Sequence, residues 1–493
     1  MTAADSATFD AASVLAKLGV TPRRITSDSR QVAAGAAFAA YPGTQHDGRA
    51  FIGDAVTSGA DAVLWEARDF AWRSEWQVPH QPVDGLQSKL GMIADLIYGR
   101  PSEALWMVGV TGTNGKTTCS HWIAQAADHC GRRSALIGTL GSGRVGALTP
   151  AQNTTPDVCV LHEMLAQYRR GGVSLVAMEV SSHGLEQGRV NGVAFDVALF
   201  TNLSRDHLDY HRTMAAYGQA KARLFEWPGL AAAVVNADDA FGQGLIDAAR
   251  RRGTRVLTYG FANADIAATG IAMSGNGIDL SVTTPNGRGT VHVPVVGDFN
   301  AQNVLGVLGV LLASDLRFDD ALDALSTLTA PPGRMQLLGG AGIPLVVVDY
   351  AHSPDALEKA LRALRPTVGA HGELVCVFGC GGDRDRGKRP EMGQIAGNLA
   401  DRVIVTTDNP RSEDPQSIAA AIMRGVAQAG SAVASVNLDR AAAIASAIHD
   451  AKSTDVVLIA GKGHETYQEA QGVRHPFSDL TQAAAALAEW SVK

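Results

Sequence analysis

The chain has 493 residues, with 42 Lys plus Arg against 49 Asp plus Glu. That length suits about three domains, and the modest negative balance argues against a nucleic-acid or anionic-membrane binder and toward small-molecule partners. Cys119, Cys130, Cys159, Cys376 and Cys380 are odd in number and lack paired zinc spacing, so a reducing, cytoplasmic setting is expected rather than a disulfide framework or a structural zinc site.

The stretch from Met1 to Asp10 is acidic, and the longest apolar run, Val304 to Ala313, is too short to span a bilayer. From Val14 to Gly99 apolar clusters alternate with turns, and Ala60 to Trp65 suits a core strand of a small α/β unit. Two polar loops stand out there, Ile25 to Arg30 and Tyr41 to Arg49. Taken alone, such loops are more often capped turns than binding sites. A Gly-Arg-Pro break at Tyr98 to Ser102 closes the unit.

Next comes an apolar strand, Leu105 to Val108, then V-G-V-T-G-T-N-G-K-T-T from Val108 to Thr118, then a helical stretch from Cys119 to Ala127. In a strand, Gly-rich loop, helix order the backbone N–H groups of Gly112, Thr113, Asn114 and Gly115 can face a phosphate chain. Lys116 can reach the terminal phosphates, and Thr117 or Thr118 can ligate Mg²⁺. The strict phosphate-loop pattern wants glycine five residues before Gly115, where this chain has Val110. The competing reading is an ordinary βα turn with a surface lysine.

Asn153 to Pro156 is a polar turn suited to cap a helix from Val158 to Arg169. Buried strands then end in chemistry-bearing residues. Ser174 to Val180 ends at Glu179, and Ser181, Gln187 and Arg189 follow, suited to an anionic substrate. Phe195 to Leu203 leads into Ser204 to His211; His207 and His211 are four apart, but no H-E-x-x-H context supports zinc. In the helix from Tyr217 to Phe225 the spacing places Lys221 on the stripe of Tyr217, Leu224 and Phe225, so a lysine points inward. It either snorkels or loses its charge through desolvation. Alternation from Ala267 to Val296 predicts a β-rich insertion, and Gly297 to Asn303 opens an apolar helix with Asn300 and Asn303 at its start. Pro331 to Arg334 marks a second break.

In the last third, strands are predicted at Leu345 to Asp349, Glu373 to Phe378, Val403 to Thr407 and Val456 to Ala460. The loop after Phe378 mimics a dinucleotide fingerprint, but its sixth position is Arg384, which speaks against NAD. Arg384, the Asp408-Asn409-Pro410-Arg411 loop and the Gly461 to Glu465 loop offer guanidinium groups for carboxylates and acidic groups for an ammonium. That pairing suits a free amino acid with a second zwitterionic end.

The T-G-T-N-G-K-T-T loop, the T-N-L-S-R-D-H-L-D-Y-H stretch from Thr201 to His211, and G-x-x-N-x-x-N from Gly297 to Asn303 resemble the Mur ligases, ATP-dependent amide-bond formers of peptidoglycan synthesis. The resemblance covers nearly the whole chain. It implies three α/β domains: a uridine-binding domain over 1–100, a central P-loop ATPase-like domain with a mainly parallel sheet over 101–335, and a Rossmann-like amino-acid-binding domain over 336–493. It implies that Ser27, Ser29, Thr44, Gln45 and His46 hold the UDP part of a UDP-N-acetylmuramoyl dipeptide, and that Asn153, Thr154 and Thr155 hold its sugar-dipeptide part. It implies Mg²⁺ held by Thr117, Glu179, His207 and a carbamylated Lys221, with Asn300 and Arg334 on ATP. D-N-P-R resembles the members that add meso-diaminopimelate, placing Arg384, Asp408, Asn409, Pro410, Arg411, Gly461 and Glu465 on that substrate. The physical logic agrees, because lysine has no distal carboxylate for Arg411 to grip. A monomer acting without nucleic acid or membrane is expected. A folate polyglutamate synthase shares the phosphate loop and the inward lysine, and a nucleotide-driven switch would share the loop, but neither accounts for the N-terminal loops and D-N-P-R together.

Overall fold

The structure, a computed structural model, describes residues 9–43, 46–151, 153–274, 277–430 and 432–491. Thr44 and Gln45 lie outside the described residues. By contact density the chain forms two compact units, 1–259 with 309–317, and 260–308 with 318–493.

The first unit holds two sheets. The smaller pairs Arg24–Thr26, Ala36–Ala40, Ala62–Glu66 and His80–Val83 in that order, all parallel. Its middle strands are buried on both faces, which is why they read as unbroken apolar runs. The larger sheet runs in the order Arg255–Gly260, Ala232–Asn236, Val197–Phe200, Trp106–Thr111, Leu175–Glu179, Ser134–Gly138 and is parallel throughout. Gly141–Arg144 and Ala147–Thr149 continue it antiparallel. Trp106–Thr111 is therefore central, between the strands that end at Phe200 and Glu179. Ligands of open parallel sheets collect at the carboxyl ends of such strands, and the sequence puts Gly112, Glu179 and Asn202 there.

In the second unit, Ile266–Ser274, Gly277–Thr284 and Gly287–Val293 form the expected β-rich insertion as an antiparallel meander. The C-terminal sheet runs Gln336–Gly339, Leu345–Asp349, Val456–Ala460, Leu374–Phe378, Arg402–Val405, Val433–Val436, parallel except for its first pair. Helices cover both faces. Leu357, Leu361, Leu364, Met392 and Ile422 pack one side, and Ile444, Ile448 and Ala483 the other. Arg440 and Asp479 form an ion pair with both side chains fully buried, Nε and Nη2 each donating at 2.7 Å. No helix among the described residues is long and apolar enough to cross a membrane.

Candidate active site

The helix that follows the glycine-rich loop, Lys116–His129, starts at Gly115 (φ 85°) and has no side-chain cap. The helices beginning after Asp157, Ser181, Asp239, Ser353 and Asp414 are each capped by that side chain. The helices after Gly85 and Gly387 also lack a side-chain cap; what suits Lys116–His129 to an anion is the glycine-rich loop in front of it together with a lysine at its first position. Gly112 has φ 152°, and a Cβ there would collide with the Thr201 hydroxyl, so the loop needs glycine at that point. The next strand end clamps the loop: Thr113 N donates to Asn202 O at 2.8 Å, Asn114 N to Asn202 Oδ1 at 3.1 Å, and Thr201 Oγ1 to Asn114 O at 2.6 Å. The Lys116 ammonium lies over the loop, donating to Gly112 O at 2.9 Å and Thr113 O at 2.7 Å.

Glu179 ends its strand 1% exposed, and Thr117 Oγ1 donates to its Oε2 at 3.0 Å. Thr139, which the sequence reading missed, donates from its backbone N at 2.7 Å and from its hydroxyl at 3.1 Å to the same carboxylate, and its Oγ1 lies 3.0 Å from Thr154 Oγ1. A buried carboxylate beside a threonine hydroxyl at the mouth of an anion site is a hard, oxygen-rich donor set that fits Mg²⁺. Among the described residues no three His, Cys, Asp or Glu side chains cluster as a metal site by themselves. The other two predicted ligands make different contacts. The His207 ring meets His183 edge-on at 4.9 Å and Asp206 at 3.4 Å. Burial, then the Lys116 and Lys221 ammonium groups, hold His207 below its ordinary value against the pull of Asp206.

Lys221 does point inward. It is 1% exposed, its Nζ lies 4.3 Å from the Tyr217 ring centroid, and it donates to Gly112 O at 2.6 Å. Burial, then the nearby Lys116 charge, pushes its pKa well below the ordinary 10.5. Tyr217 in turn shares a 3.2 Å hydrogen bond with Thr113 of the loop.

The residues assigned to the sugar-dipeptide gather beside Glu179. Thr155 Oγ1 donates to Glu179 O at 2.9 Å and accepts from Ser181 N at 3.0 Å; Arg189 donates to Thr155 O at 3.0 Å and to Gln187 Oε1 at 2.9 Å. One expectation needs correction. The turn Asn153 to Pro156 does not cap the helix Val158–Arg170; Asp157 does, accepting from Cys159 N at 2.9 Å, because its carboxylate stands one residue before the first turn. His207 is a left-handed N-cap (φ 52°) of the short helix Leu208–His211, and both its ring and that of His211 meet His183, at 4.9 and 5.2 Å. His211 is turned into the protein, Nε2 2.9 Å from Ser182 Oγ and Nδ1 3.1 Å from Glu186. In the N-terminal loops, Ser27 Oγ donates to Asp157 Oδ2 at 3.2 Å, Ser29 opens the short 3₁₀ turn Ser29–Gln31, and His46 is exposed.

In the second unit, Asn300 ties the start of the helix Asp298–Ala313 to the preceding turn, Nδ2 donating to Val296 O at 2.7 Å. Arg334 lies over the Tyr350 ring at 4.6 Å. Burial, then the Arg334 and Lys462 charges, brings His464 down to about 4. The strand-end loops of the C-terminal sheet interlock. Asn409 Nδ2 donates to Glu465 Oε2 at 2.8 Å, and its Oδ1 accepts from Lys462 Nζ at 3.0 Å and Glu469 N at 2.9 Å. The fully buried Lys462 also donates to Glu465 Oε2 at 2.8 Å. Gly461 is required, since a Cβ there would lie 2.6 Å from Asp408 Oδ2. Arg411, following Pro410, has a left-handed backbone (φ 51°), donates from Nη1 to Gly382 O at 2.7 Å, and sits 3.9 Å from Glu469. Arg384 is exposed on the facing loop.

Three family models match the chain in order: the Mur ligase family catalytic domain over 23–98, the Mur ligase middle domain over 110–311, and the Mur ligase glutamate ligase domain over 333–463. The chain is 50% identical over 478 residues to UDP-N-acetylmuramoyl-L-alanyl-D-glutamate--2,6-diaminopimelate ligase of Chromobacterium violaceum, covering 97% of this chain and 96% of that one. It is 51% identical to the enzyme of the same name from Ectopseudomonas mendocina, covering 96% and 97%. A solved structure bearing that name superposes with a TM-score of 0.71 at 38% identity, covering 95% of each chain. A folylpolyglutamate synthase of Mycobacterium tuberculosis shares the fold, with a TM-score of 0.63, at 20% identity over 81% of this chain. With an anion-receiving loop, a carboxylate beside it, an inward lysine and an interlocked D-N-P-R loop each where the sequence placed them, and relatives alike over almost their whole length, the chain belongs to the Mur ligase family.

Proposed function

We propose that this chain is the ATP-dependent ligase that adds meso-diaminopimelate to UDP-N-acetylmuramoyl-L-alanyl-D-glutamate. The D-glutamyl side-chain carboxylate attacks the γ-phosphorus of ATP and ADP leaves. The diaminopimelate amine then attacks the acyl phosphate carbonyl, loses a proton, and phosphate departs. The observation that carries the reading is Arg411, on a D-N-P-R loop locked to Glu465 and Lys462, in a chain half identical to enzymes of that name.

The protein's part is placement and charge neutralisation. Gly112, Thr113, Asn114, Gly115, Lys116 and Thr118 receive the triphosphate, with Arg334 as a second cation on it and Asn300 at the base. Thr117 and Glu179 would hold Mg²⁺, with His207 and a carbamylated Lys221 completing the set of ligands, and a cation held there would supply screening of the phosphate charge. The depressed basicity of Lys221 favours the neutral amine that carbamylation requires. Ser27, Ser29 and His46, with Thr44 and Gln45, bind the UDP moiety, and Asn153, Thr154, Thr155, Ser181, Gln187 and Arg189 bind the sugar-dipeptide. Arg384 and Arg411 grip the distal carboxylate of diaminopimelate, and Glu465 and Asp408 face its ammonium. The domain divisions near 100 and 335 follow from this assignment, and the enzyme works as a cytoplasmic monomer.

The test is phosphate release with substrates omitted one at a time. Turnover that needs ATP, the UDP-dipeptide and diaminopimelate together is the expected result; ATP hydrolysis indifferent to the other two would sink the ligase reading.

A further inference from the structure

Arg384 and Arg411 sit on different loops, Gly379 to Gly387 and Asp408 to Glu413, after different strands, and the first loop runs into the helix Lys388–Leu399, which carries Arg389. Two guanidinium groups grip one carboxylate only if the spacing between their loops is fixed; the parallel pairing of the two strands, with Phe378 opposite Val405, sets the roots of the loops, and the tips that carry Arg384 and Arg411 lie beyond it. The loops are stitched at three levels. At the backbone, Gly382 N donates to Asn409 O at 2.9 Å and Arg411 Nη1 donates to Gly382 O at 2.7 Å. A Cβ on Gly382 would collide with the carbonyl of Pro410, so this approach demands glycine. One step out, Asp383 accepts from Ser412, at 3.1 Å from its N and 2.7 Å from its hydroxyl.

The outer stitch is the densest. Glu413, two residues past Arg411, accepts from Arg389 at both oxygens, 3.0 Å from Nη1 and 2.8 Å from Nη2. Its Oε1 also accepts from Asp383 N at 2.7 Å, and Arg386 approaches its Oε2 at 3.3 Å. Arg389 is 4% exposed at the side chain and Glu413 13%, so this is a shielded, bidentate pair rather than a solvated one. Hydrogen bonding from Arg389 brings the Glu413 carboxyl down to about 2, keeping it ionised. Asp383 and Arg386, the residues this carboxylate holds, bracket Arg384, whose own side chain is left exposed.

We propose that Glu413 and Arg389 are positioning residues of the amino-acid pocket: their ion pair sets the separation of Arg384 and Arg411 and so the affinity for the distal carboxylate of the incoming amino acid. This rests on the reading above that those two arginines bind that carboxylate. Neither residue touches the substrate, and both act through the loops.

The experiment is steady-state kinetics on the full-length enzyme, varying diaminopimelate, ATP and UDP-dipeptide separately, with the melting temperature recorded for each variant. Glu413→Gln and Arg389→Ala are expected to raise KM for diaminopimelate by about tenfold or more while leaving the other two KM values unchanged. Glu413→Asp, which keeps the charge, is expected to restore part of the loss. Ser412→Ala, which cuts only the middle stitch, is expected to shift the same KM in the same direction by less, and it reads the proposal should the Glu413 variant not fold. Equal loss for all three substrates with a lower melting temperature would make the pair merely structural and overturn the proposal. So would an unchanged diaminopimelate KM in a folded Glu413→Gln or, where that variant does not fold, in Ser412→Ala. Arg411→Ala separates the two layers: if it raises the diaminopimelate KM and the Glu413 variants do not, positioning alone fails; if it too is silent, the pocket assignment fails.

Discussion

Lys116 and Lys221 donate to the same acceptor, the carbonyl oxygen of Gly112, at 2.9 and 2.6 Å. A second ammonium group on one oxygen would repel the first, and Lys221 has almost no water to spread a charge into, so burial and Lys116 both favour its neutral amine. A protein retains such an arrangement at a cost in stability only where the group has work to do.

Lys221→Met is therefore expected to melt no lower than the wild type, because the thioether fills similar space without an amine to desolvate. The same change should cut ligase turnover by about 10²-fold or more, by removing a group from the charge-stabilising site. The pH sign follows. With its pKa held below 10.5, the folded state binds fewer protons than the unfolded chain, so wild-type stability rises with pH toward that value and any advantage of methionine narrows. Thermal unfolding between pH 7 and 10 beside a phosphate-release assay measures both, and a variant that loses stability and activity together would reduce Lys221 to a packing residue.

Arg411 already spends one Nη on Gly382 O and keeps Nε toward Glu469. A lysine offers a single point of charge on a flexible stem and cannot hold the Gly382 carbonyl and a carboxylate in one plane. Arg411→Lys is expected to raise KM for diaminopimelate by roughly 10- to 100-fold, the loss of about 1–3 kcal/mol of charge-assisted hydrogen bonding. The KM values for ATP and the UDP-dipeptide should stay put. Steady-state kinetics with each substrate varied in turn decides it, and unaltered diaminopimelate kinetics would remove the specificity argument.

What was legible in the sequence follows from what periodicity and strand ends encode. The inward direction of Lys221 came from helical spacing alone, and the placement of Glu179 and Asp408 came from apolar runs that stop at a polar residue. Thr139 ends a strand in the same way, but a lone threonine at a glycine-rich turn carries no signal of its own; its role exists only because Ser134–Gly138 lies beside the strand of Glu179. The choice of Asp157 over the Asn153 turn as a helix cap depended on one residue of register, where sequence reading is least sharp. The left-handed backbone of His207 is a feature that spacing cannot express. Glu413 and Arg389 carry no motif of their own in the sequence, and only their tertiary pairing gives them a place beside the D-N-P-R loop.

Asp95 and His162 stand 3.7 Å apart, Oδ1 to Nδ1, in the first unit. His162 Nε2 lies 2.9 Å from Asn191 O, so the ring proton is on Nε2 and a bare nitrogen lone pair faces the carboxyl. Burial, then Glu103, raises Asp95 from 3.8 to about 6, while burial lowers His162 from 6.5 to about 4. The two act in opposite directions. Between 3.8 and 6 the folded state holds the extra proton of Asp95, so that group adds stability as pH falls; between 6.5 and 4 the unfolded chain takes the proton of His162, so that group removes stability as pH falls. In the wild type the two nearly offset each other. Asp95→Asn supplies an amide N–H to the facing nitrogen and removes a buried charge, so it is expected to melt higher than the wild type at pH 8. Below pH 6.5 its melting temperature should fall more steeply, since only His162 still titrates, while His162→Gln should show a flatter acid limb than the wild type. Melting temperatures of the three proteins from pH 4 to 8 test the account; an Asn variant less stable than the wild type at pH 8 would mean that Asp95 is charged and favourably paired.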